Sequence, residues 1–182
     1  MRPLTKEERK RRLHNVSSGD DDSRSPFQKD CDRILYSAEF RRLQGVTQVV
    51  GPHEGQIFHN RLTHSLKVAQ TGRRLAERLI KDWRETNGDD LVEDGILDPD
   101  VVEAACLAHD LGHPPFGHVA EAELWRLLKA EGDEDCFEGN AQSFRIVTKL
   151  AVLKPKVTEP DHNPKGLGLT YATINALLKY PY

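Results

Sequence analysis

Residues 108–118 read AHDLGHPPFGH, and the rest of the chain is best interpreted outward from this stretch. It places His109 and Asp110 side by side at the end of an apolar helix, with His113 and His118 in the turn that follows. Imidazole nitrogen together with carboxylate oxygen suits Mn, Fe, Zn or Co better than it suits an all-oxygen site. Histidines are also ordinary polar residues at helix ends, but four titratable groups in so short a run favour a metal or catalytic site.

The apolar spacing on both sides of this stretch predicts an all-α chain. Ser25-Pro26 with Gln28 has the form of a helix start, and the pattern behind it predicts a helix to about Leu43. Four further helices and a last one are expected over about 61–83, 98–112, 117–130, 140–152 and 170–178. In the helix over 117–130, the side chains expected on the inner face are Ala122, Trp125 and Leu128.

The composition limits the class of protein. A chain of 182 residues can bury the core of one domain, and a net charge of −3 with dispersed Lys and Arg predicts no broad basic face. Three cysteines, Cys31, Cys106 and Cys136, stand far apart without a C-x-x-C pair. This spacing argues against both a disulfide framework and a Cys-ligated zinc site, and it favours a reducing cytoplasm.

The two ends of the chain differ in character. Residues 1–24 pass from a basic run to an acidic one with Ser and Gly between, so they are expected to form a mobile charged tail ahead of a single domain over 25–182. No stretch approaches the length of apolar sequence needed to cross a bilayer. We therefore expect a soluble, cytoplasmic protein without a membrane partner.

Four other motifs accompany AHDLGHPPFGH in the chain. They are RILYSAEFRRLQGVTQVV (33–50), NRLTHSLKVAQTG (60–72), FEGNAQSFRI (137–146) and GLGLTYATINALLKYPY (166–182). In this order the five motifs resemble the bacterial deoxyguanosinetriphosphate triphosphohydrolase family of the HD superfamily, over about 27–182. The resemblance implies an HD-domain helical bundle that forms the N-terminal portion of a larger dNTPase fold.

The same resemblance assigns roles to individual residues. It makes His64 of the RxxHS motif, His109 and Asp110 three ligands of a divalent ion, which could be Mn, Mg, Fe, Co or Zn. It makes His118 and Glu121 a catalytic pair, and residues three apart on a helix share a face. In hydrolysis such a pair supplies a proton to the leaving oxygen, with the carboxylate fixing the tautomer of the imidazole.

Contacts with the substrate are also implied. Gln48 resembles the residue that meets the deoxyribose, and His113 resembles a further contact to the triphosphate or sugar. Arg61 stands one helical turn before His64, so it should point toward the same ion and is suited to holding a phosphate oxygen by paired N–H donors. The family implies hydrolysis of deoxynucleoside triphosphates to deoxynucleoside and tripolyphosphate by a homo-oligomer, and it leaves open a nucleotide activator or a single-stranded DNA effector.

One departure from the family keeps other functions open. The fourth metal ligand of the family is an Asp farther along than this chain extends, and Asp161 is only a weak local substitute. The chain is then either a fragment of a longer enzyme or a short protein completed by a partner subunit. Two alternatives follow: an HD phosphohydrolase acting on nucleoside monophosphates or cyclic nucleotides, or a non-catalytic module that binds a nucleotide and regulates.

Overall fold

The computed structural model describes residues 4–14, 22–46, 60–88, 91, 95–152 and 166–179. Over these residues the chain forms α-helices and no β-strand, which confirms the predicted all-α class. The helices are α1 (Lys6–Lys10), α2 (Pro26–Leu35), α3 (Ala38–Arg42), α4 (Arg61–Asn87), α5 (Pro99–Ala108), α6 (Gly117–Ala130), α7 (Gly139–Arg145) and α8 (Tyr171–Leu177). A 3₁₀ turn, Leu43–Gly45, follows α3, and a π-helical turn, Ile146–Leu150, continues α7.

The helix starts follow capping signals in the sequence. The hydroxyl of Ser25 accepts from the backbone N–H of Gln28, whose side chain accepts in return from the N–H of Ser25. At the start of α4, Asn60 Oδ1 accepts from the N–H of Thr63 at 2.9 Å. Such caps satisfy N–H groups that have no partner inside the helix. Because α4 begins at this cap, His64 lies in its first turn.

The prediction of one helix over 25–43 is wrong, because the chain forms two helices there. Ser37 adopts an extended conformation (φ −66°, ψ 151°) and separates α2 from α3. Its hydroxyl donates to the carbonyl of Ile34 at 2.7 Å and accepts from the N–H of Phe40 at 3.1 Å. A serine that bonds the backbone on both sides competes with the helical hydrogen bonds, and here it ends one helix and caps the next.

The predicted inner face of α6 is also wrong. No residue of α6 is buried, and Trp125 is 45% exposed. Periodicity locates an apolar stripe correctly, but burial requires a second element to cover it. Within the described part of the chain, no element packs on α6 closely enough to bury Ala122, Trp125 or Leu128.

Helix α5 lies at the centre of the fold, against α2, α4 and α8. Its small side chains make this arrangement possible, and Ala104, Leu107 and Ala108 are at most 1% exposed. Gly72 of α4 faces α5 so closely that a Cβ atom there would lie 2.8 Å from the sulfur of Cys106. Glycine is therefore needed for the two helices to approach. The close packing brings the first half of α4 and the end of α5 together.

Two expectations about the class of protein can be compared with the structure. Cys31, Cys106 and Cys136 are all free thiols, as their spacing predicted. Among the described residues, no helix combines the length and the apolar character that crossing a membrane requires.

The N-terminal residues make contacts that the sequence did not predict. Arg12 Nη1 donates to Asp30 Oδ1 at 2.6 Å and to the carbonyl of Gly168 at 2.8 Å. The other oxygen of Asp30, a fully buried residue, accepts from the hydroxyls of Thr170 and Thr173. Residues 11–13 thus tie α2 to the segment before α8, so this part of the predicted mobile tail packs on the domain. The domain boundary at residue 24 stays a prediction.

Replacing Arg12 with alanine is expected to lower the free energy of unfolding by about 3 kcal/mol, because the Asp30 carboxylate would stay buried without its cation. Urea denaturation followed by circular dichroism measures this loss. The matched control is Arg78→Ala, which removes an exposed i,i+4 pair with Asp82 and should change stability by less than about 0.5 kcal/mol. Equal effects of the two variants would contradict the assigned role of Arg12.

Candidate metal centre and catalytic pair

Three side chains with metal-binding atoms meet where α4 begins and α5 ends. His109 Nε2 lies 3.3 Å from Asp110 Oδ1, and His64 Nε2 lies 3.9 Å from Asp110 Oδ2. One potential ligand atom of each residue lies within 4.8 Å of those of the other two. The two imidazole rings have centroids 5.4 Å apart and are tilted by 56°. The three predicted metal ligands therefore converge on one point.

The orientation of His109 fits metal binding. Its Nδ1 lies 2.7 Å from the backbone carbonyl of Cys106. A carbonyl only accepts, so Nδ1 carries the hydrogen and Nε2 keeps its lone pair on the side of Asp110. Metal-binding histidines commonly donate their second ring nitrogen in this way. Burial outweighs the attraction of Asp110 and lowers the pKa of His109, which favours the neutral, ligating form.

Arg61 contacts the carboxylate of Asp110. It is buried, and its Nη1 donates to Asp110 Oδ2 at 3.0 Å. The Nε of Arg61 has no hydrogen-bond partner among the described residues. Arg61 therefore points toward the cluster, where it orients one carboxylate oxygen and compensates its charge. Its role as a phosphate ligand stays a prediction.

His118 and Glu121 form a hydrogen-bonded pair on the first turn of α6. His118 Nδ1 lies 2.8 Å from Glu121 Oε2, and the other oxygen of Glu121 accepts from the N–H of Gly139 at 2.7 Å. The side chain of Glu121 is 18% exposed whereas that of His118 is 87% exposed. Burial acts to raise the pKa of Glu121, but the hydrogen bonds from Gly139 and His118 outweigh it, so the pKa is lowered. Glu121 is thus an ionised, anchored partner of an accessible imidazole.

A tight turn after Pro114 and Pro115 sends the chain into α6. Phe116 and Gly117 both have positive φ, of 65° and 60°. A non-glycine residue in this region carries strain of about 1–3 kcal/mol, and such residues cluster at functional sites. Because the chain reverses here, His118 lies on α6 although it follows Asp110 by only a few residues in the sequence.

His113 lies between the two groups of residues. Its side chain is 8% exposed, and its Nδ1 is 3.3 Å from Asp110 Oδ1 without forming a hydrogen bond. On its other side its ring packs edge-on against that of His118, with centroids 5.8 Å apart. Burial outweighs the pull of Asp110 and lowers the pKa of His113. His113, His118 and Glu121 also have potential ligand atoms within 4.8 Å of one another.

Most of the residues singled out in the sequence therefore meet in one place. His64, His109 and Asp110 form one group, His118 and Glu121 form another, and Arg61 and His113 contact Asp110. Two residues, Gln48 and Asp161, lie outside the described part of the chain.

Gly139 and Ser143 had no predicted role, yet the first contacts the catalytic pair and the second contacts the turn of His109 and Asp110. Gly139 donates to Glu121, and the hydroxyl of Ser143 accepts from the N–H of Gly112 at 2.9 Å. The only signal was the presence of two small residues four apart in FEGNAQS, which share a helix face. Small residues at that spacing indicate that another segment of the chain packs closely on the helix, but they do not indicate which segment.

Comparisons with known proteins bear on this site. A family model described as HD domain matches residues 61–156, just over half of the 182 residues. Deoxyguanosinetriphosphate triphosphohydrolase-like proteins of several bacteria are similar to the chain. That of Shewanella loihica is 41% identical over 172 residues, covering 94% of this chain and 35% of its own length. That of Streptomyces coelicolor is 47% identical over 166 residues, covering 87% and 33%.

A third relative, from Vibrio vulnificus and with the same name, is 45% identical over 161 residues, covering 88% of this chain and 32% of its own length. The chain thus spans about a third of the length of the curated relatives it matches. The matched residues 61–156 contain the three predicted metal ligands and the predicted catalytic pair. The chain belongs to the HD domain family.

Proposed function

We propose that this chain carries the site of a phosphohydrolase that converts deoxynucleoside triphosphates, dGTP or several dNTPs, to deoxynucleoside and inorganic tripolyphosphate. The proposal rests on one observation, which is that the predicted metal ligands and the predicted acid–base pair lie next to each other. His113 contacts Asp110 of the metal group on one side and His118 of the acid–base pair on the other. The substrate class is supported by the relatives, whose names contain deoxyguanosinetriphosphate triphosphohydrolase.

His64, His109 and Asp110 would hold the divalent ion, which could be Mn, Mg, Fe, Co or Zn. When bound, such an ion polarises a phosphoryl oxygen and lowers the pKa of water. Neighbouring residues hold two of these ligands in a fixed orientation. The carbonyl of Cys106 fixes the ring of His109, and Arg61 holds one oxygen of Asp110.

His118 acts as the general acid at the 5′ oxygen. With Nδ1–H directed to Glu121, the protonated ring has its Nε2–H left to donate, and its exposure lets a substrate reach it. An alkoxide is a poor leaving group unless it is protonated as the bond breaks, so a positioned acid accelerates the step. The bond that breaks is then the ester bond between the α-phosphorus and the 5′ oxygen, and not an anhydride bond.

Binding of the substrate is assigned to Arg61, His113 and Gln48. The Nε of Arg61 has no partner among the residues that the structure describes, and Arg61 lies at the metal ligands, so its remaining N–H groups suit a phosphate oxygen. Within the same residues, a buried ring nitrogen of His113 has no hydrogen bond at the junction of the two groups. Gln48 is proposed from the sequence alone as the deoxyribose contact.

The assembly and its regulation are further proposals. The family resemblance supports a cytoplasmic homo-oligomer, with a nucleotide activator or a single-stranded DNA effector. Light scattering of the purified protein with and without dNTP would measure the oligomer directly.

Product analysis tests the reaction. Incubation with dGTP should release deoxyguanosine and tripolyphosphate, and in ¹⁸O-labelled water the label should enter the tripolyphosphate, because water attacks the α-phosphorus. Ion chromatography and mass spectrometry measure both. The Asp110→Ala variant controls for contaminating phosphatases, since it removes a metal ligand. Release of pyrophosphate and deoxynucleoside monophosphate alone would refute the proposed chemistry, and hydrolysis of monophosphates but not triphosphates would favour the alternative substrate class.

A further inference from the structure

Helix α7 touches both functional groups along one face. Gly139 and Ser143 stand four residues apart, so they lie on the same side of the helix, one turn from each other. Both residues are buried. Gly139 faces the catalytic pair and Ser143 faces the turn that carries the metal ligands.

The contact to the catalytic pair runs through the backbone of Gly139. Glu138, the residue before it, uses its side chain to accept from the N–H groups of Asn140 and Ala141. The N–H of Gly139 is left for Glu121, which it meets at 2.7 Å. There is no room for a larger residue without movement, because a Cβ at Gly139 would lie 3.1 Å from Glu121 Oε1 and 3.3 Å from the ring of His113.

The contact to the metal turn runs through the hydroxyl of Ser143. Its oxygen accepts from the N–H of Gly112 at 2.9 Å and lies 3.0 Å from the carbonyl of His109. The backbones are pressed together here, since a Cβ at Gly112 would lie 2.1 Å from the nitrogen of Ser143. The turn after α5 is therefore held against α7 on both sides of Asp110.

We infer that the buried face of α7 sets the position of the general acid relative to the metal ligands, with Gly139 as the positioning residue for Glu121 and Ser143, one turn later, as the positioning residue for the His109–Gly112 turn. The inference rests on the proposed function, because it gives His118 the role of acid. The inference has a physical basis in the exposure of α6, which has no buried residue. His118 and Glu121 therefore have few contacts that hold them in place relative to His64, His109 and Asp110. One short helix that bonds to both sides supplies such contacts.

Gly139→Pro deletes the backbone N–H from which Glu121 accepts, and its added side-chain atoms also press on Glu121 Oε1 and on the ring of His113, so the variant displaces Glu121. Proline is well tolerated at the first position of a helix, and Glu138 already has the extended conformation (φ −140°, ψ 126°) that a following proline requires. We expect kcat for dGTP to fall about 10–100-fold, a part of what a positioned acid contributes. The rate with a p-nitrophenyl phosphodiester should stay within about threefold of the parent, because its leaving group needs no acid. The matched control is Gly139→Ala, which adds the Cβ but keeps the N–H and should lose less activity, and Ala38→Pro at the exposed first position of α3 controls for the proline itself.

Nitrogen-15 NMR of His118 gives a readout that does not depend on activity. The neutral form of the His118 ring in the parent should carry its hydrogen on Nδ1, since Glu121 accepts it. In Gly139→Pro the hydrogen should move toward Nε2. An unchanged tautomer, or equal losses of rate on both substrates, would overturn the role given to Gly139.

Ser143→Ala tests the other contact. We expect Mn²⁺ affinity, measured by calorimetry, to fall about 10–100-fold, the range typical when a partner of a metal ligand is lost. The His118 tautomer should not change. The control is Thr148→Val, which removes a mostly buried hydroxyl farther along the same helical segment, bonded to the carbonyl of Phe144. Equal Mn²⁺ affinities in the two variants would refute the role of Ser143. If the parent hydrolyses no dNTP, the proposed function fails, while the NMR and calorimetric results still decide the positioning.

Discussion

Replacing His109 with alanine is expected to abolish binding of the divalent ion and, with it, hydrolysis of dNTP. His109 is held by the carbonyl of Cys106 with its Nε2 toward Asp110, so the alanine variant removes a ligand atom that is already oriented for the ion. Loss of a direct ligand should weaken Mn²⁺ binding by more than the roughly 10–100-fold that follows loss of an outer partner. Calorimetry with Mn²⁺ and elemental analysis of the purified protein measure the effect.

The pH dependence of metal binding gives a second test of the same residue. A histidine must be neutral to bind a metal, and protons compete with the ion below its pKa. Because burial lowers the pKa of His109, that competition should begin at a lower pH than for an ordinary histidine. The contribution of His109 to Mn²⁺ affinity, measured by calorimetry over a series of pH values, should therefore persist to a lower pH than an ordinary histidine ligand would allow. A His109→Ala variant that keeps its metal and its activity would refute the assigned metal site.

The parts of the fold that were predicted correctly are those determined by residues close together in the sequence. The start of α2 follows from Ser25, Pro26 and Gln28, which bond to one another within a single turn. The bounds predicted for the helix at 117–130 match those of α6, because a glycine opens it and the apolar spacing continues to Ala130. Helix ends that are fixed by neighbours in the chain can be predicted from the chain.

Tertiary partners were the part that could not be predicted. Ala122, Trp125 and Leu128 of α6 were expected to face inward, yet Trp125 is 45% exposed and no residue of α6 is buried in the described structure. The amide of Gly139 bonds to Glu121, 18 residues away, and Ser143 bonds to Gly112, 31 residues away. Gly139 and Ser143 are not residue types that signal chemistry, so only the three-dimensional arrangement shows what they contact.

In the candidate site, too, the residues could be named from the sequence whereas their contacts could not. His64, His109 and Asp110 were named from motifs and do converge in space. The orientation of Arg61 was foreseen by its position one turn before His64, but its bond to Asp110 needed the packing of α4 on α5. A motif therefore identified the residues, and the packing determined which atoms face one another.

Replacing His118 with alanine should have the opposite pattern to His109→Ala: the metal stays bound and turnover is lost. A general acid contributes about 10²–10⁴-fold, so kcat for dGTP should fall by that factor while KM changes little. Glu121→Gln should produce a smaller loss of the same kind, because the amide can no longer accept the Nδ1–H of His118 as a charged partner. Stopped-flow or single-turnover kinetics with calorimetry on the same preparations measure both quantities.

The decisive outcome for His118 concerns the metal and not the rate. His113, His118 and Glu121 have potential ligand atoms as close together as those of the first group, so a second ion at this place is the rival interpretation. Under that interpretation His118→Ala would bind fewer ions than the parent. A p-nitrophenyl phosphodiester separates the two further, since an acid is dispensable for its leaving group and a metal ligand is not. Full metal content, a normal rate on the activated ester and a slow rate on dGTP together identify His118 as the acid; loss of metal would make it a ligand.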